Sequence, residues 1–133
     1  MLLSGSDSDK ENAKDEAIRI IATDTGSVLK FYSALEPPPG ERPLPPAEII
    51  TPSWALFRWV QVQLLMSLDV FFRYNGKIPE ASALTCHWYE KIEHDLLDAE
   101  YLVLGVLEGS FATTELKLQS YWRLLRPDGV LMS

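Results

Sequence analysis

From Trp88 to Val106 the apolar residues Trp88, Tyr89, Ile92, Leu96, Ala99, Val103 and Val106 recur mostly at steps of three and four. That is the period of one face of an α-helix. A second stripe runs His87, Glu90, His94, Asp98, each within reach of the next on the same side of that helix. From Tyr101 to Leu107 the polar residues stop, and a helix that is apolar on every side is expected to be buried on every side. The pattern predicts a helix from about Ser82 to Leu107. Its first half is wet, and its second half enters a core or a partner.

The rest of the chain divides around that stretch. Residues 1–9 are rich in Ser, Gly and Asp and are expected to be disordered. Ser8 and Glu11 have capping-box spacing, and a short helix carries Ala13, Ala17, Ile20 and Ile21 on one side. Asp24-Thr25-Gly26 breaks it, and Val28, Leu29, Tyr32 and Leu35 predict a second helix over 27–35. Glu36 to Pro46 holds six prolines and one glycine in eleven residues, which no regular hydrogen-bonded element survives. Residues 36–50 therefore read as an extended, semi-rigid connector. It drapes over the core or serves as a strap for an aromatic groove, and common loop behaviour favours the first.

Thr51-Pro52 restarts the chain with an N-cap residue and a proline at the first helical position. A long helix is expected over 53–72. Leu56, Trp59, Val60, Gln63, Leu64, Ser67 and Phe71 lie along one side of it, and Arg58, Gln61, Leu65, Asp69 and Arg73 along another. Tyr74-Asn75-Gly76 is a left-handed stop. After Gly109-Ser110, Thr113 or Thr114 caps a last helix to about Arg126, and Pro127-Asp128-Gly129 ends it. Val130–Met132 is a short tail that packs or adds an edge strand. The expectation is a single all-α domain over 1–133, a compact bundle of four or five helices with a proline-rich connector. The two long helices form an antiparallel hairpin, the last helix packs across them and the N-terminal helices cap one end. Trp59, Leu64, Phe71, Trp88, Ile92, Leu96, Val103, Val106, Leu118 and Tyr121 form the expected core.

Charge narrows the function classes. The chain of 133 residues has a formal net charge of −7 and a pI near 4.7. Between Leu84 and Ser110 six acids stand against Lys91 alone. Such a balance disfavours nucleic acid and anionic membrane surfaces as partners. Trp54 to Phe72 comes nearest to a membrane span but carries Arg58, Gln61, Gln63 and Asp69, each costly in hydrocarbon. The single cysteine, Cys86, offers no internal disulfide and no facing base in His87, because helix neighbours diverge. With no secretory pattern at the start, the cytoplasm is the expected compartment.

Two constellations could carry chemistry. His87, Glu90, Glu93, His94 and Asp98 form an acidic stripe. Imidazole and carboxylate one turn apart is how helical bundles hold a divalent metal such as zinc or iron, although ferritin-like sites use a Glu-then-His order twice and this chain does not. Glu90-Lys-Ile-Glu93 resembles the first half of the ExxE…ExxD pattern of all-α nucleotide pyrophosphohydrolases, which implies magnesium held by paired carboxylates. The second half is missing, since neither Glu108–Phe111 nor Glu115–Leu118 ends in aspartate. Arg123–Leu131 resembles the late helix-turn-strand of Rossmann-like methyltransferases, but the glycine-rich loop is lacking. The second constellation is aromatic: Trp54, Trp59, Trp88, Tyr101 and Trp122 are more large rings than a small core needs, which points to an interface or a pocket.

The run WYEKIEHDLLDAEYLVLGVLEG followed by ELKLQSYWRLLRPDG resembles small, uncharacterised bacterial helical proteins of the mobile integron gene-cassette type. The resemblance covers about Trp88 to Gly129. It implies a compact helical accessory protein and no particular activity, with Glu90, Glu93, His94, Asp95, Asp98 and Tyr101 as the residues to test. Taken together, the sequence reads first as a non-catalytic helical interaction protein, a self-associating dimer or the binder of another protein, with no cofactor expected. The alternative is a metal-dependent hydrolase using the acidic helix face, assisted by Arg58 or Asp69. A third reading is small-molecule binding in an aromatic pocket between helices.

Overall fold

The structure, a computed structural model, describes residues 7–35, 39–40, 42–73 and 86–133; the side chains of residues 7, 86–90 and 92 are not described. The chain is all-α with one minimal sheet. In order come α1 (Asp7–Thr23), α2 (Thr25–Ser33), a 3-10 turn (Ala47–Ile49), α3 (Ala55–Arg73), α4 (Cys86–Glu108), β1 (Ser110–Ala112), α5 (Leu116–Leu125) and β2 (Val130–Met132). The expected stop at Tyr74–Gly76, the start of the long helix near Pro79 or Ser82, and the tail before Asp7 lie outside the described residues.

Helix α1 already runs at Asp7, ahead of Ser8, so Ser8 is a helix residue and not a cap. The break at Asp24 is real and sharp. Its carboxylate accepts from the Gly26 amide at 3.1 Å and from the Ser27 hydroxyl at 2.8 Å, which caps α2 in the usual N-terminal manner. Of the expected connector, residues 42–50 drape over the bundle. Leu44 and Ala47 pack on the core, Ile50 is buried, and the Tyr32 hydroxyl donates to the Pro45 carbonyl.

Helix α3 is the centre of the bundle. Among the described residues it is the helix long and apolar enough to cross a membrane, with a mean hydropathy of 1.3. Here it packs against α1, α2 and α4. Its buried side is Phe57, Val60, Gln61, Val62, Leu65, Met66 and Asp69. That side runs through the polar stripe of the sequence reading, and Trp59, expected in the core, is exposed. The reason is that the polar members are satisfied by neighbours. Gln61 Nε2 donates to the carbonyls of Ile21 (3.0 Å) and Ala22 (3.1 Å) near the end of α1, where a helix has acceptors left over. Because Gln61 meets the end of α1 while Asp69 meets Lys14, α1 lies antiparallel along α3. It is a full member of the bundle and not an end cap.

Helix α4 buries Ala99, Leu102, Val103 and Val106. It ends at Gly109, whose positive φ of 83° suits glycine. Gly105 lies against β1, where a Cβ would sit 2.6 Å from the Phe111 ring. β1 and β2 pair in parallel, Ser110 with Val130 and Ala112 with Met132, and α5 makes the crossover between them. The tail therefore does add a strand, beside a partner strand that the sequence pattern did not predict. Trp122 fills the space under this unit, and Gly129 leaves it that room. Val62, Leu65 and Leu102 are wholly buried, each worth about 1.5–3 kcal/mol by removal from water.

Candidate functional site

The inward side of α4 carries a carboxylate. Asp95 is buried and lies 3.4 Å from Arg73 Nη2 at the end of α3 and 3.8 Å from Lys91 one turn before it. Arg73 also bonds Asp69, one turn back on α3. Asp69 is reached in addition by Lys14 of α1 at 3.7 Å and Lys117 of α5 at 3.3 Å. Burial by itself would raise the Asp69 carboxyl, but Lys117 and Arg73 outweigh it and hold the group below the usual carboxylate range. Tyr121 of α5 is buried beside this network. Burial, with the Asp69 charge near it, pushes its hydroxyl up to about 12, and the hydroxyl makes no hydrogen bond among the described residues. Chemically the cluster is a set of mutual ion pairs that joins four helices and fixes the rotation of α4.

A second polar centre lies at the other end of α3. Arg58 donates to the Pro52 carbonyl (2.8 Å) and to Gln61 Oε1 (2.9 Å). Burial, and the Arg126 guanidinium close by, lower its pKa. Arg126 in turn donates to the Val106 carbonyl at 2.8 Å. Arg58 and Asp69 therefore belong to two separate structural networks.

The acidic stripe divides. The side chains of His87 and Glu90, like that of Trp88, lie outside the described residues. Glu93 and His94 are exposed and Asp98 is half-buried. Among the described residues no three His, Cys, Asp or Glu side chains group as metal ligands would. Of the aromatic set, Trp122 is buried, while Trp54, Trp59 and Tyr101 are exposed. Tyr101 and Trp122 are joined through Phe111, with ring centroids at 4.9 and 6.2 Å. Trp54 and Trp59 stand apart from these, at the start of α3.

The rotation of α4 leaves its outward face apolar. Leu97, Tyr101 and Leu104 follow at steps of four and three, with Leu96 and Leu107 beside them, and all five are exposed. Leu96 was expected in the core; it sits one residue after Asp95, and the ion pairs turn Asp95 inward and carry Leu96 out. Glu93 and Glu100 run along one side of the Leu97–Tyr101–Leu104 row, between it and Leu96 and Leu107, and Asp98 runs along the other. None of them pairs with a cation among the described residues. Tyr101 leans on β1, its hydroxyl donating to the Ala112 carbonyl at 3.3 Å. Ala112 is the register partner of the exposed Met132. A shallow groove of about 340 Å³ lies there between Ala112, Thr113, Thr114, Met132 and Ser133.

Sequence reasoning missed the four-helix network. Its only local signals were the i,i+4 spacings of Asp69 with Arg73 and Lys91 with Asp95. No protein-family model, curated protein or solved structure matches the chain.

Proposed function

We propose that this protein is a non-catalytic interaction module that binds a protein partner through the outward face of α4. One observation carries the reading. Leu96, Leu97, Tyr101, Leu104 and Leu107 are 54, 57, 49, 61 and 39% exposed on a single helix. Scattered surface leucines need no explanation, but several large apolar side chains exposed along one side of a single helix mark an interaction surface. The row sits on a helix whose other side is locked by ion pairs and core packing, so it is presented in one fixed geometry. A second copy and a different protein are both occupants that such a face accepts. The acidic charge and the lone cysteine fit a cytoplasmic setting.

The test is site-specific photo-crosslinking in cells that produce the protein. A benzoylphenylalanine at position 104 should yield a discrete adduct. The same probe at the exposed Lys30 of α2 should not, and Leu97→Gln should abolish the adduct from 104. Absence of any adduct at 104 contradicts the reading.

A further inference from the structure

We infer that the element seated on this face is a basic amphipathic helix of another protein; the inference rests on the reading of α4 as a docking surface. Leu97, Tyr101 and Leu104 follow the four-three alternation of a coiled-coil seam, with the bundle core on the far side of the helix. The flanking positions of such a seam set partner choice through their charges. Here they are Glu93, Asp98 and Glu100, and between Glu93 and Glu108 the chain has neither Lys nor Arg. Lys91, one turn before the row begins, is engaged with Asp95 on the inward side. The field along the row is therefore of one sign, in a chain already at −7.

That pattern selects against a second copy. In either helix orientation, one copy's carboxylates would meet only carboxylates on the other, a repulsive element that discriminates between partners. A helix with Lys or Arg beside its own leucines meets the apolar row and the acidic flanks at once, and it is drawn in by charge before contact. The apolar row from Leu96 to Leu107 is about 17 Å long and its acidic flanks extend it from Glu93 to Glu108, about 23 Å at helical rise, so the complementary segment spans about four turns. Its end would pass Tyr101 and β1 toward the groove at Ala112 and Met132.

The experiment uses the full chain and a labelled synthetic peptide of about 18 residues, with leucines at the same four-three spacing and lysines elsewhere, followed by fluorescence anisotropy. Saturable binding that weakens with salt is expected. It should fall at least about tenfold with Leu97→Gln/Leu104→Gln, and similarly with Glu93→Gln/Glu100→Gln. A peptide of the same composition in scrambled order should bind far more weakly, as should one with glutamates for lysines. Equal binding of the scrambled peptide, or no effect of the leucine pair, overturns the inference. So does a wild-type dimer in sedimentation that the leucine pair dissolves, which makes a second copy the occupant. If the peptide fails while the adduct at position 104 persists, the partner chemistry is wrong and the docking surface stands. If both fail, so does the docking surface.

Discussion

The two sides of α4 are built against the usual order of a surface helix. The side turned to α3 and α5 holds Ala99, Leu102, Val103 and Val106, and among them an aspartate. The side turned to solvent holds four leucines and a tyrosine. The charge is tolerated inside because Arg73 and Lys91 accompany it; an unpaired buried carboxylate would cost several kcal/mol. Among the described residues no element covers the leucines outside. Apolar residues all round a helix therefore state a capacity for burial on every side. The neighbouring elements decide how much of that capacity the fold itself uses. In this protein α3, α5 and β1 use one side, and we assign the other to a partner.

The comparison can be broken most forcefully at neighbouring leucines. Leu102→Ala should cost about 3–4 kcal/mol of unfolding free energy, since it opens a cavity in a packed core. Leu104→Ala should stay within about 0.5 kcal/mol, as surface substitutions do. Urea titrations of the two variants give the difference directly. The next effect is electrostatic. Arg73→Met leaves Asp95, among the described residues, with the longer contact to Lys91 and should cost about 3 kcal/mol, the low end for a broken buried pair because the arginine is partly solvated. It should also loosen the hold on α4, which is measurable as faster amide hydrogen exchange in that helix than in α5.

Smaller effects depend on pH. The Asp69 carboxyl lies lower in the folded chain than in the unfolded one. Its contribution is complete above about pH 4, the unfolded value, and is lost as pH falls through the folded one. Stability should therefore fall on acidification below that point, and Asp69→Asn should flatten this limb while lowering stability at neutral pH. Tyr121 runs the other way. Its pKa is raised to about 12, so its contribution is complete below the unfolded value near 10 and is lost as pH rises through the folded one. Tyr121→Phe should blunt the alkaline loss and change neutral stability by less than about 0.5 kcal/mol, because the hydroxyl has no described hydrogen bond to lose.

Much of the secondary structure was legible in the residues. The start of α2 follows from Asp24 and the end of α5 from Pro127-Asp128-Gly129, since caps and turn residues act locally. The expected caps of the other two starts do not hold: α3 begins at Ala55, with Thr51 Oγ1 bonded to Ser53 Oγ, and α5 begins after Glu115, not after Thr113 or Thr114. Facing was less legible. On α3 periodicity set Trp59 on the core side and Asp69 on another. Hydrophobicity cannot show that Gln61 would find the free carbonyls of Ile21 and Ala22, or that Asp69 would meet Lys14 and Lys117. Those partners lie tens of residues away, and only the tertiary fold brings them near. On α4 the same blindness hid the inward turn of Asp95, and with it the outward turn of Leu96. The acidic flanks Glu93, Asp98 and Glu100 were visible from the start. Their meaning depended on learning that leucines, and not only water, lie between them.

The most direct measurement is the unfolding free energy of the Leu97→Gln/Leu104→Gln double variant against wild type. Glutamine keeps helix propensity and charge, so the comparison reads apolar packing alone. A loss of no more than about 1 kcal/mol is predicted, which means that the outward leucines are surplus to the fold and free for a partner. A loss of several kcal/mol, of the size expected for Leu102→Ala, would place them in the core and contradict the account.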